Sequence, residues 1–151
     1  MRPGQIKATL SVPLALLVGS ILYAAYWLAQ DPCEDVRVAE IASPNGRLSA
    51  VTFSRSCGAT TGFSTKVAIF SKGNSSDLLG TALIVDTDHG KAPAGAGGGP
   101  EVKVAWGNDE MLTLRYDLAV RAWKTATSVS NVAVTHAREP MPAQVASGTA
   151  K

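Results

Sequence analysis

Hydrophobic and polar positions divide this chain into two unlike parts. Between Lys7 and Asp31 lie 23 residues without a charge, and positions 10–29 are almost wholly apolar. At about 1.5 Å per helical residue, such a run crosses a hydrocarbon core about 30 Å thick. The pattern predicts a transmembrane helix over 8–30 behind a stub at 1–7. Beyond it the helical pattern stops and a period of two takes over, which predicts strands.

The first pair of strands is expected at 36–41 and 48–53, around the turn Ser43-Pro44-Asn45-Gly46-Arg47. Its glycine suits the left-handed position that closes such a turn. If Ser43 faces Arg47, opposed residues sum to 90, which sets Asp35 against Arg55, Ala39 against Val51, and Cys33 against Cys57. Positions 63–70 alternate, with Phe63, Thr65, Val67 and Ile69 on one face, and 81–85 form a short, fully apolar run. A second hairpin follows: Val102, Val104 and Trp106 share a face, as do Leu112, Leu114 and Tyr116, and the turn spans 107–110. Closing strands are expected at 120–124 and 132–136. The eleven residues 90–100 hold five glycines and two prolines. Glycine raises the entropy lost on ordering and proline removes donors, so this stretch reads as a flexible connection.

The expected fold is therefore all-β, a small antiparallel sheet or sandwich of about 6–8 strands behind one N-terminal helix. The β domain covers 31–136, and a Pro-, Ala-, Ser- and Gly-rich tail expected to be disordered covers 137–151.

Charge placement orients the chain. Arg2 and Lys7 precede the apolar run, and Asp31, Glu34 and Asp35 follow it, which predicts a cytoplasmic N-terminus and a translocated domain. Tyr23, Tyr26 and Trp27 would lie at the outer headgroup level. A cleaved signal peptide is the competing reading. Its apolar core would be shorter and end in a small-x-small site, whereas Trp27-Leu28-Ala29 places a bulky indole where a small residue is needed. Gln30-Asp31-Pro32 before Cys33 does not suit a lipoprotein signal, and an uncleaved anchor is expected.

The net charge of +2 comes from Arg2 and Lys7; from Asp31 onward twelve basic residues balance twelve acidic ones. A balanced domain has no electrostatic footprint for nucleic acid. The two cysteines, Cys33 and Cys57, are expected to form a disulfide in an oxidising compartment. No Cys-x-x-Cys or clustered histidine suggests a redox or zinc site instead.

Candidate chemistry is sparse. The loop after Cys57 is built of small and hydroxylated residues, and Gly58, Thr60, Thr61, Gly62 and Ser64 form a candidate interaction loop, an anion nest being the functional extreme. A sharp turn beside a disulfide explains the same residues. Asp86, Asp88 and His89 place oxygen and nitrogen ligands before Gly90, as at the start of a calcium loop, but the twelfth position of such a loop is Gly97. A polar turn at a strand end is the simpler reading, and no metal or other cofactor is expected. His89 and His136 are the only imidazoles, and no Gly-x-Ser-x-Gly surrounds any serine, which argues against a hydrolase. Trp106, Tyr116 and Trp123 could stack on a ligand such as a sugar, although at strand spacing they more often fill a core.

Four segments taken together, 43–47, 57–65, Asp88-His89-Gly90 and 99–106, resemble an uncharacterised family of small bacterial membrane-anchored extracytoplasmic β domains of unknown function. The string Cys57-Gly58-Ala59-Thr60-Thr61-Gly62-Phe63-Ser64-Thr65 is the most specific of them. The resemblance implies a bacterial source and an extracytoplasmic setting, and carries no activity, catalytic residue or cofactor. The expectation is a single-pass inner-membrane protein with a periplasmic domain, held in lipid by 8–30, acting as a non-enzymatic interaction or accessory module toward another envelope protein. The alternative is a ligand- or metal-binding module built from the Asp86–Gly90 turn and the 57–65 loop.

Overall fold

The computed structural model describes residues 7–28, 33–58, 60–72 and 77–142. The chain divides into two units, one ending at Pro32 and the other beginning at Cys33.

The first unit holds one helix, α1 (Lys7–Leu28), with Pro13 inside it. Ser20 donates its hydroxyl to the Leu17 carbonyl, which satisfies it within the helix. Leu14, Leu16, Leu17, Val18, Ile21 and Leu22 are all exposed, so the apolar surface runs round the whole circumference. Tyr23 and Trp27, one turn apart, meet edge to face at 6.1 Å. Among the described residues, however, no helix is long and apolar enough to cross a membrane. The expected span over 8–30 is thus not shown, and its last two positions lie outside the described residues.

The second unit is all-β. Its strands are β1 (Glu34–Ala42), β2 (Leu48–Ser56), β3 (Ser64–Ser71), β4 (Leu78–Asp86), β5 (Val102–Asn108), β6 (Met111–Tyr116), β7 (Arg121–Thr125), β8 (Ser128–Val129) and β9 (Val132–Arg138). They form a five-stranded sheet, β1-β2-β3-β4-β7, and a four-stranded sheet, β5-β6-β9-β8. Nine described strands exceed the expected 6–8. Pairing is antiparallel except for β6 with β9, which run parallel.

The first hairpin departs from its expected register in two compensating ways. The Ser43 N–H bonds the Leu48 carbonyl and the Gly46 N–H bonds the Ser43 carbonyl, so Ser43 faces Leu48 and not Arg47. Near the turn, opposed residues therefore sum to 91, and Ala39 faces Thr52 instead of Val51. A bulge at Val38 absorbs the extra residue, and from Arg37 outward the sum returns to 90. Asp35 then faces Arg55 as expected, and Cys33 and Cys57 are joined, with their Cα atoms 3.9 Å apart.

Both sheets contribute to one core. Val67, Ile69, Leu83 and Val85 from the first meet Leu112, Leu114, Val132 and Val134 from the second, all buried. The β5–β6 register pairs Val102 with Tyr116, Val104 with Leu114 and Trp106 with Leu112, so the two expected faces lie side by side, while Gly107 and Asn108 belong to β5 and not to the turn expected at 107–110. A direct link ties the sheets: the Trp106 indole on β5 donates to the Ile41 carbonyl on β1 at 3.0 Å.

Two expected irregular regions are ordered. The glycine-rich segment folds as a strap: Ala94 bridges Pro100, and the Gly95 N–H bonds the Gly99 carbonyl at 2.7 Å. The strap is fastened to the core-side face of the first sheet, where Ser54 donates to the Gly97 carbonyl and the buried Thr65 to the Pro100 carbonyl, each at 2.6 Å. The described part of the tail expected from 137 is also structured. β9 runs to Arg138, and Met141 is buried with its N–H on the Asp117 carboxylate at 2.7 Å. Residues 143–151 lie outside the described residues.

Candidate functional site

The register of the five-stranded sheet creates a polar row on the face turned away from the core. At one level Asp35 faces Arg55, Arg55 faces Ser64, Ser64 faces Asp86, and Asp86 faces Arg121. Charge alternates along it, and each carboxylate meets a cation. Asp35 accepts from Arg55 at 2.9 and 3.1 Å and from Lys66 at 2.6 Å. Asp86 accepts from the Arg121 guanidinium at 2.6 and 3.2 Å.

Asp86 organises one end of this row. Besides Arg121, its carboxylate accepts the Trp123 indole N–H at 2.7 Å and the Asp88 backbone N–H at 2.8 Å. The Arg121 guanidinium in turn lies over the Trp123 ring, 4.5 Å from its centre. Burial pushes the Asp86 carboxyl up, but the hydrogen bonds from Arg121, Trp123 and Asp88 together outweigh it and hold the group below the usual carboxylate range. A carboxyl whose pKa is lowered by folding stabilises the native state above its unfolded pKa of about 3.9. That contribution is lost as pH falls through the lower native value. Asp86→Asn is therefore expected to lie below the wild type in melting temperature at pH 6. The two should converge as pH drops below about 4, a trend that calorimetry across pH 2–6 would register.

Above Ser64 and Ile84 opens a cleft of about 560 Å³. Thr60, Thr61, Gly62 and Phe63 form one side; Thr87, His89, Arg121 and Trp123 form the other; the Cys33–Cys57 bridge and Arg55 close the end. The first side is held by a turn in which the Gly58 carbonyl accepts both the N–H and the hydroxyl of Thr61, at 3.2 and 3.1 Å. Gly58 starts that turn at φ +117° and does not line the cleft. Asp88, His89 and Gly90 run in succession through the left-handed region, at φ 45°, 59° and 86°. Two of them are not glycine, so this bend stores strain of the order of 1 kcal/mol per residue and turns His89 to the rim.

The cleft gathers most of the residues singled out from the sequence and separates others. Thr60, Thr61, Gly62, Ser64, Asp86 and His89 line it together. Asp88 points elsewhere, paired with Lys91 at 2.6 Å and 3.9 Å from Arg121. Asp86, Asp88 and His89 do not converge as metal ligands, and no group of three His, Cys, Asp or Glu side chains able to hold a metal ion occurs among the described residues. The Ser64 hydroxyl donates to the Arg55 carbonyl at 3.4 Å rather than to an imidazole. His136 is partly buried against Tyr116 and bonds the Ala126 carbonyl through Nε2 at 2.8 Å, and it does not line the cleft.

Of the three candidate stacking aromatics, Tyr116 is buried, Trp106 is half-buried between the sheets, and Trp123 is 64% exposed. Arg55 and Arg121 were not singled out as site residues. Asp35–Arg55 could be read as a cross-strand pair from the hairpin, but Asp86–Arg121 joins positions 35 apart through a β4–β7 pairing that no local pattern announces. No protein-family model, curated protein or solved structure matches the chain.

Proposed function

We propose that this chain is a non-enzymatic binding module of the bacterial cell envelope, presented outside the inner membrane by an N-terminal signal anchor. The uncharged stretch between Lys7 and Asp31 and the apolar circumference of α1 support the anchor. Lys/Arg on the N-terminal side supports the orientation. The Cys33–Cys57 disulfide suits an oxidising compartment. The family resemblance implies the same setting.

One observation carries the functional half: the cleft assembles the 57–65 loop, the turn after β4 and an exposed, fixed tryptophan beside the disulfide. Its volume falls in the range of small-ligand sites, roughly 300–1,000 Å³. That favours a ligand-binding module over a broad interface with another envelope protein. The carboxylate and guanidinium groups that line it are engaged in structural pairs, Asp86 with Arg121 and Arg55 with Asp35, which supports binding rather than catalysis.

A photo-crosslinking residue at Thr61 in the full chain, expressed in a bacterial host, is expected to give envelope adducts. The same residue at exposed Lys103, on the second sheet, should not. Equal labelling at both positions, or none at Thr61, would contradict the assignment.

A further inference from the structure

The geometry points to a saccharide as the ligand class of this cleft, with Trp123 as its stacking platform; this rests on the binding reading above. A sugar ring has a C–H-rich face and a rim of hydroxyls, so its site needs an open aromatic plane beside neutral hydrogen-bonding groups. Trp123 supplies the plane. It is 64% exposed, yet its indole N–H is tied to Asp86 at 2.7 Å and Arg121 lies against its ring. An aromatic side chain already fixed in this way loses little conformational entropy when a ligand stacks on it.

The surrounding groups match the rest of the ring. Thr60 and His89 are exposed, line the cleft and make no side-chain hydrogen bond among the described residues, which leaves their donors and acceptors available to a ligand. The charges close to it are matched, Arg121 by Asp86 and Arg55 by Asp35. A strongly ionic ligand would have to break one of these pairs, whereas a polyhydroxylated one can bond to their outer edges. An extended peptide fits less well. Strand addition needs unpaired backbone groups, and the floor lies on β3 and β4, each already paired on both sides.

Titration calorimetry of the full chain against cellotetraose, maltotetraose and chitotetraose, with tetra-alanine as the peptide probe, tests the assignment. At least one tetrasaccharide is expected to bind. Trp123→Ala should weaken that binding tenfold or more, Trp123→Phe should weaken it less because a ring remains, and Lys103→Ala should leave it unchanged. Because Trp123 is exposed and outside the core, its loss leaves folding intact, which circular dichroism checks. Saccharide binding that survives Trp123→Ala unchanged would overturn the assignment, as would no binding by any of the three sugars. Binding of tetra-alanine alone would overturn the saccharide class while leaving the cleft as the binding face. Crosslinking at Thr61 separates these failures, because it reports on the cleft whatever the ligand.

Discussion

Replacing Cys33 and Cys57 together by serine is expected to lower the unfolding free energy of the β domain by about 3 kcal/mol. The bridge closes a loop of 24 residues in sequence separation. Cross-linking positions that far apart restricts the unfolded chain by an amount that grows with the logarithm of loop length. β1 is an edge strand paired only with β2, and beside the bridge that end of the hairpin is held by the Asp35 contacts to Arg55 and Lys66. Urea denaturation followed by tryptophan fluorescence should show a lower midpoint and a steeper slope, because the unlinked denatured chain exposes more surface. The first cleft side begins at Cys57, so ligand binding should weaken in the same variant. A loss below about 1 kcal/mol would show that the register around Asp35–Arg55 closes the hairpin without help.

Gly99→Ala is expected to cost about 2–3 kcal/mol. A methyl group there would lie 2.6 Å from the Thr65 hydroxyl and 2.7 Å from the Ser64 carbonyl carbon. The second contact is backbone, and the strand carrying it is hydrogen-bonded on both sides, so neither partner can move without breaking the strap or the sheet. Thr65 would also lose its bond to Pro100, leaving a buried carbonyl short of its donor. Gly62→Ala is the internal control. Nothing lies within 4 Å of the added methyl and no positive φ is required there, so stability should stay within about 0.5 kcal/mol. A comparable loss from both substitutions would contradict the packing of the strap.

These two substitutions also mark what a reader of the sequence can and cannot see. The disulfide was legible because it follows from counting across one local hairpin. The count succeeded through two cancelling deviations, one residue added at the turn and one absorbed by the bulge at Val38. The β5–β6 pairing was legible for the same reason: alternation and turn sit within fifteen residues of each other. The strap was not. Five glycines read as freedom when taken by composition, but Gly98 sits at φ +83° against the Phe63 ring and Gly99 against β3, so they are there for close approach. The parallel β6–β9 pair and the two-residue β8 left no periodic trace either.

The candidate site was legible in its loops and illegible in its centre. Gly58, Thr60, Thr61, Gly62 and Ser64 stood out as an unusual run, and Asp86 and His89 as a polar turn. That they face one another depends on β3 and β4 lying side by side, and the meaning of Asp86 depends on β7 arriving beside it. Seen alone, Asp86 resembles a metal ligand; beside Arg121 and Trp123 it orients a tryptophan. Three aromatic positions were weighed together as possible stacking groups, and burial separates them in a way that spacing could not.

The most direct test of the account follows the indole N–H signals of the three tryptophans in the ¹⁵N-labelled full chain, titrated with soluble fragments released from a bacterial envelope. The Trp123 signal is expected to shift and saturate, while those of Trp27 and Trp106 stay in place. A shift confined to Trp106 or Trp27, or no shift in any of them, would contradict the cleft as the place where this protein binds.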